Sequence, residues 1–180
     1  MTIFTVLPSE DAELCHPVDW KFRRLTSRLN GEPRGETWTP PVMELIHEDE
    51  GRRLSESDSP WLGSDALIFR PRAVAALGQL LRDNGELLPL VCPEAELWLF
   101  NVTNVIDALD QEASQIVRFE DGCIMWIKRH VFRPEILRGE NVFKLHGPRV
   151  SETFVSDRFV QQWKSSGLKG VEFREVWRPE

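Results

Sequence analysis

The sequence predicts an α+β fold, a mixed or antiparallel sheet with a few helices packed on it. Three observations predict it. Residues Glu152–Trp177 read as strand, helix, strand, with start, stop and periodicity signals in agreement. Residues Asp65–Val91 repeat that plan, and short strand patterns crowd the stretch 86–145 between the two helices. An arrangement with strands gathered between helices, instead of alternating strictly with them, argues against a doubly wound parallel sheet.

In chain order, Thr2–Leu7 alternates as a first strand and is closed by Pro8. Asp19–Leu25 fits a short strand and a helical turn equally well. Thr26–Pro41 is polar, with Asn30-Gly31, Pro33, Gly35 and Pro40-Pro41, and reads as a long loop. Val42–Ile46 fits a short strand or a turn of helix, and His47–Pro60 is charged and irregular. Loops of such length inside a compact domain are usually functional or mobile. Residues 1–64 are thus the least regular part.

The first strand–helix–strand unit runs Asp65–Phe69, Pro71–Arg82 and Glu86–Val91. Pro71 suits a first helical position and Asn84-Gly85 a stop, while Ala73, Val74, Leu77, Leu80 and Leu81 make an apolar face. Leu97–Phe100 and Cys123–Ile127 are continuous apolar runs, as expected of strands covered on both faces. Gln115–Phe119 alternates and is linked to the second run through Glu120-Asp121-Gly122. Glu135–Arg138, after Pro134, suits a helical turn, and Asn141–Leu145 a strand.

The second unit runs Thr153–Val155, Asp157–Ser165 and Val171–Trp177. Ser156 is placed as N-cap, Asp157 puts a negative charge at the helix start, and Lys164 a positive one in the last turn. Phe159, Val160 and Trp163 share one face, and Gly167 supplies the stop. Arg72, Val74, Leu77 and Gly85 correspond to Arg158, Val160, Trp163 and Gly170. The two units are either an old duplication or two ordinary pieces of the same kind.

A chain of 180 residues suits one domain over residues 1–180, burying roughly 70% of its unfolded surface. Its net charge of −7 is uneven: residues 1–60 hold 7 basic against 12 acidic residues, and residues 61–180 hold 15 against 17. That balance disfavours nucleic-acid and anionic-membrane binding. It suits a basic protein partner, and it equally suits plain solubility. Three cysteines, far apart and without a CxxC pair, suit reduced thiols and neither a disulfide framework nor a zinc site. The start lacks a basic n-region, and no apolar run approaches a membrane span, so a cytoplasmic location is expected.

The sequence holds no G-x-S-x-G elbow, H-E-x-x-H, P-loop or G-x-G-x-x-G, and its four histidines fall at no metal-ligand spacing. No catalytic residue, metal or cofactor is therefore assigned. Asp107 and Asp110 invite three readings: local capping and salt bridging, partner binding, or an acid/base pair. Glu48, Asp49 and Glu50 form the centre of an acidic stretch, either a solvated loop or an electrostatic docking patch. Lys128-Arg129-His130 reads as a solvated strand end. Trp38 and Trp61 lie in loop-like surroundings and are the aromatics expected to be most exposed, where they would anchor an interface or pack loops on the core. The candidate partner-binding residues are accordingly Glu48, Asp49, Glu50, Trp38, Trp61, Asp107 and Asp110.

Several motifs resemble a known family. Asn101-Val102, Val105, Asp107-Ala108-Leu109-Asp110 and Ser114 are similar to its "NV…V-D-x-L-D…S" pattern. Phe154-Val155-Ser156-Asp157-Arg158-Phe159-Val160 resembles its helix start, and Gly167-Leu168-Lys169-Gly170-Val171-Glu172-Phe173 its "G-L-x-G-x-x-F" ending. Leu87-Leu88-Pro89-Leu90 fits the preceding strand. Together these are similar to the bacterial immunity proteins of polymorphic toxin systems, the eleventh family in the usual count. The resemblance spans residues 65–177, with Phe69-Arg70-Pro71-Arg72 departing from the Ser-Glu-Arg type of start at the first helix.

That resemblance implies a non-catalytic protein that binds a cognate toxin, often encoded beside it, and neutralises it. Many toxin domains that attack nucleic acids are basic, which an acidic inhibitor would complement. Two other readings compete: a regulatory or structural module with a non-toxin partner, and a small enzyme using Asp107 and Asp110 with His130 or His146. The oligomeric state is left open.

Overall fold

The structure, a computed structural model, describes residues 1–19, 21–22 and 29–179. Its elements are β1 (Ile3–Pro8), β2 (Leu14–Pro17), a 3-10 turn at Gly35–Thr37, β3 (Met43–Ile46), β4 (Glu48–Asp49), β5 (Arg52–Arg53) and β6 (Ile68–Phe69). Then come helix α1 (Pro71–Arg82), β7 (Gly85–Leu90), β8 (Leu97–Val102), β9 (Val105–Ile106), β10 (Gln115–Arg118), β11 (Ile124–Arg129) and β12 (Val142–Leu145). The chain closes with β13 (Phe154–Ser156), helix α2 (Asp157–Ser165) and β14 (Val171–Trp177). The α+β expectation holds, and most pairings are antiparallel, with β9–β12 parallel. The segment Asp19–Leu25 lies largely outside the described residues.

The two strand–helix–strand units share a topology that their sequences only hint at. In the first, β8 lies between β6 and β7, antiparallel to both. In the second, β1 lies between β13 and β14, again antiparallel to both. Each helix therefore spans two parallel strands with a third, from elsewhere in the chain, threaded between them. The first unit makes a three-stranded sheet, β6-β8-β7; the second heads a five-stranded sheet, β14-β1-β13-β12-β9.

Local chemistry explains both helices. Pro71 occupies the first turn of α1, where a missing N–H is harmless, and Asn84 Nδ2 donates to the Leu80 carbonyl at its end. In α2, Ser156 Oγ accepts from the Phe159 N–H. At its other end Gly167 N donates to Lys164 O (3.0 Å) and Leu168 N to Trp163 O (3.3 Å). This is the paired-carbonyl stop that a left-handed residue permits. The glycines at equivalent places after the two helices are needed for close approach. A Cβ on Gly85 would sit 2.3 Å from the Asn101 carbonyl, and one on Gly170 (φ +107) 2.3 Å from Ser57 Cβ.

Three apolar clusters fill the molecule. One joins the units, with Leu77 and Leu81 of α1, Phe159 and Trp163 of α2, and Phe69 and Phe100 from the strands beneath. A second lies between β2, β3 and the other face of the β6-β8-β7 sheet. The third collects Phe132, Phe143, Phe154 and Leu137 under the five-stranded sheet. Lys144 of β12 is 2% exposed, and its Nζ donates to the carbonyls of Leu29 and Asp65, 2.8 Å each. Burial lowers its pKa to about 8, against a smaller opposing pull from Asp65.

Several expectations are sharpened or corrected. Val42–Ile46 resolves as strand β3. The stretch read as irregular, His47–Pro60, contains the hairpin β4–β5, whose turn residues Glu50 (φ 50) and Gly51 (φ 78) are both left-handed. Charge had obscured the Glu-Gly turn there. Glu135–Arg138 forms hydrogen-bonded turns, Ile136 N to Arg133 O and Glu140 N to Leu137 O, without becoming helical. The polar loop before β3 is also tied down: Glu86 accepts from the Arg34 and Gly35 N–H groups, and Asn101 Nδ2 donates to Glu32 O. No helix among the described residues is long and apolar enough to cross a membrane.

Candidate partner-binding surface

The residues singled out in the sequence do not converge. Glu48 and Asp49 are exposed on the β4–β5 hairpin, with Glu50 at its tip. Arg53 and Arg52 stand directly across from Glu48 and Asp49, so cross-strand cations temper the acidic run. Trp38 and Trp61 are partly buried. Trp38 donates its Nε1–H to Pro89 O at 2.8 Å and meets Phe22 edge-on, and Trp61 packs on the core shared by the two units. Both indoles fasten loops to the interior, which corrects the expectation that they are the most exposed aromatics.

Asp107 and Asp110 lie elsewhere, around an open recess they share with Arg133. Asp107 Oδ2 pairs with Arg133 Nη2 at 2.9 Å, while Asp110 Oδ1 accepts from the Glu112 and Ala113 N–H groups at 3.1 and 3.0 Å. These are the contacts of the capping and salt-bridging reading. Ser114 Oγ donates to Val131 O and accepts from Val131 N, and Asn101 is buried. The motif residues behind the family resemblance thus hold turns together. His130 lines a different recess, and no group of three His, Cys, Asp or Glu suited to a metal ion occurs among the described residues.

The feature that sequence reasoning missed is on β11. Met125 is 51% and Trp126 58% exposed, which overturns the expectation that the Cys123–Ile127 run is covered on both faces. Among the described residues β11 pairs only with β10, in a two-stranded arm, and its outer side chains Met125 and Trp126 stay exposed. An apolar run looks the same whether or not another layer covers it. The available signal was Lys128-Arg129, which continues the strand with charge where a buried strand would stay apolar.

Beside Met125 and Trp126 opens a recess of about 170 Å³. One wall is Met125 to Ile127 of β11, the other Pro148, Val150 and Phe154, with Arg174 at the margin. His130 is set between Phe132 (5.7 Å, stacked) and Phe154 (5.4 Å, edge-on). Burial first, and the Arg174 charge second, lower its pKa to about 4, so near neutral pH it is an uncharged aromatic floor. The two walls are clipped together at one end. Arg149 reaches the Asp121 carboxylate in the β10–β11 turn, and its guanidinium lies 4.6 Å from the Phe119 ring centroid. Ile124 and Pro148 bridge there as well.

An exposed Trp beside an apolar recess, on a strand laddered on one edge only among the described residues, defines a surface suited to holding another protein. The kind of protein follows from a family comparison. Residues 91–178, a segment that holds the exposed arm and its recess, match the model of the Immunity protein family (Imm11). The match bears out the resemblance read from the motifs. It starts after β7, leaving α1 with its atypical Arg70-Pro71-Arg72 start outside. That family's proteins neutralise toxins and are generally non-catalytic. No curated protein matches the chain.

Proposed function

We propose that this chain neutralises a cognate toxin in the cytoplasm by binding it directly, without chemistry of its own. The observation that carries the reading is the family match over 91–178 together with the exposed Met125–Trp126 surface inside that segment. A complex able to block a toxin buries about 800 Å² on each partner, with a few aromatic anchors supplying most of the affinity. The acidic Glu48–Glu50 tip serves a different role, drawing a basic toxin domain in over distances up to a Debye length, about 8 Å in physiological salt. In this reading Trp38, Trp61, Asp107 and Asp110 shape the protein and are not contacts.

The test is expression of the adjacent reading frame in a bacterial host, with and without this chain. Growth arrest alone, rescue by this chain, and copurification of the two constitute the expected result. Rescue without copurification replaces direct binding by an activity that undoes the damage.

A further inference from the structure

We propose that the free edge of β11 takes an extended, acidic segment of the toxin as an added strand, with one apolar side chain of that segment seated in the recess beside it. This rests on the toxin-binding reading and names its mode. β11 is laddered to β10 on one side; on the other it meets the chain at the single Ile124–Pro148 bridge. Beyond that bridge β11 and the 148–154 segment part, and the recess opens in the gap. An unpaired strand edge offers a row of backbone donors and acceptors to any extended chain. Strand addition takes its affinity from those groups and its selectivity from pockets for alternate side chains, which the edge and the recess supply together.

Size and charge narrow the occupant. The recess, about 170 Å³, matches the roughly 150 Å³ that admits a benzene ring, so it holds one aromatic or branched aliphatic side chain. Arg174 lines it, and Lys128 lies next to it with its Nζ 5.6 Å from the Trp126 ring centroid; neither makes an ion pair among the described residues. Glu152 also lines the recess, and its carboxylate accepts from Thr5 Oγ1. Acidic residues beside the apolar anchor would complete the two cations. A second copy of this chain fits poorly, because pairing two β11 edges would bring Lys128 and Arg129 of both copies together. The longer free edge, β14, is blunted by its outward Glu172, Arg174 and Glu175.

The experiment is backbone hydrogen exchange on the full chain, alone and with the toxin domain from the adjacent reading frame. Binding by Arg174→Glu and Trp126→Ala is measured beside it, with thermal unfolding as the check on folding. Expected are at least tenfold slower exchange in 124–130 on complex formation and a Kd raised about 10- to 100-fold in each variant. Protection confined to 44–58, with both folded variants binding normally, overturns edge docking and leaves toxin binding intact. The same protection arising without toxin, as the chain dimerises, overturns the occupant. A toxin that arrests growth yet never binds the wild-type chain removes the direct-binding reading and this proposal with it. The wild-type exchange pattern decides even where a variant fails to fold.

Discussion

The ring of Phe69, at the end of β6, lies 6.3 Å from the indole of Trp163 on α2. It is the aromatic link between the two strand–helix–strand units, and both rings are almost wholly buried. Trp163→Ala should destabilise the protein by about 3–5 kcal/mol. In a double-mutant cycle with Phe69→Leu, a coupling of roughly 0.5–1.5 kcal/mol is expected. Urea unfolding of the four proteins measures it, and strict additivity would show that the two units are stabilised independently.

Lys144 sets a pH dependence. Its folded pKa of about 8 lies below the unfolded value, so in the interval between them the unfolded chain binds the extra proton. Stability should therefore rise as pH climbs from about 8 toward about 10.4, by up to about 3 kcal/mol. Below pH 8 the penalty for burying the cation is present in full. Lys144→Met should abolish the rise; an identical slope in wild type and variant would locate it elsewhere.

His130 gives a dependence of the same sign on the acid side. Its folded pKa of about 4 again lies below the unfolded value. The neutral ring is favoured in the folded state, and that contribution disappears as pH falls from about 6.5 to about 4. In a histidine NMR titration, the His130 imidazole should stay neutral at pH 5. Titration of His130 itself near pH 6.5 would contradict the buried placement.

Ser156 tests the helix start on which the sequence reading leaned. Ser156→Ala removes the acceptor for the Phe159 N–H and should cost about 1 kcal/mol. Ser156→Gly should cost less at the cap itself, since glycine caps almost as well. Equal losses would assign the effect to the other contact of the hydroxyl, Asn141 Oδ1 at 3.1 Å.

The parts legible in the sequence were those governed by neighbours along the chain. The bounds of α1 and α2 follow from Pro71, Ser156 and Gly167, whose capping and backbone preferences act within one turn. The equivalence of Gly85 and Gly170 was visible too, although their shared reason, a neighbouring chain 2.3 Å from a would-be Cβ, is long-range. What escaped depends on which surfaces meet. The burial of Trp38 and Trp61 is set by Pro89 and by the core between the units. The exposure of Trp126 is set by which layers reach β11. Lys144 was invisible as a core residue because its partners are backbone carbonyls, Leu29 and Asp65, which carry no side-chain signature.

β1 is threaded between β13 and β14, and Thr2 hydrogen-bonds Asp157, 155 positions away. During synthesis at about 5–20 residues per second, the first strand thus waits on the order of 10–30 s for its neighbours to leave the ribosome. The sheet that supports the recess cannot close before then. Newly made chains pass through an interval in which β1 has no lawful mate and the protective surface is not yet assembled. A cell that must be shielded from the moment its toxin appears would need the shield to be translated first, or to be kept in store.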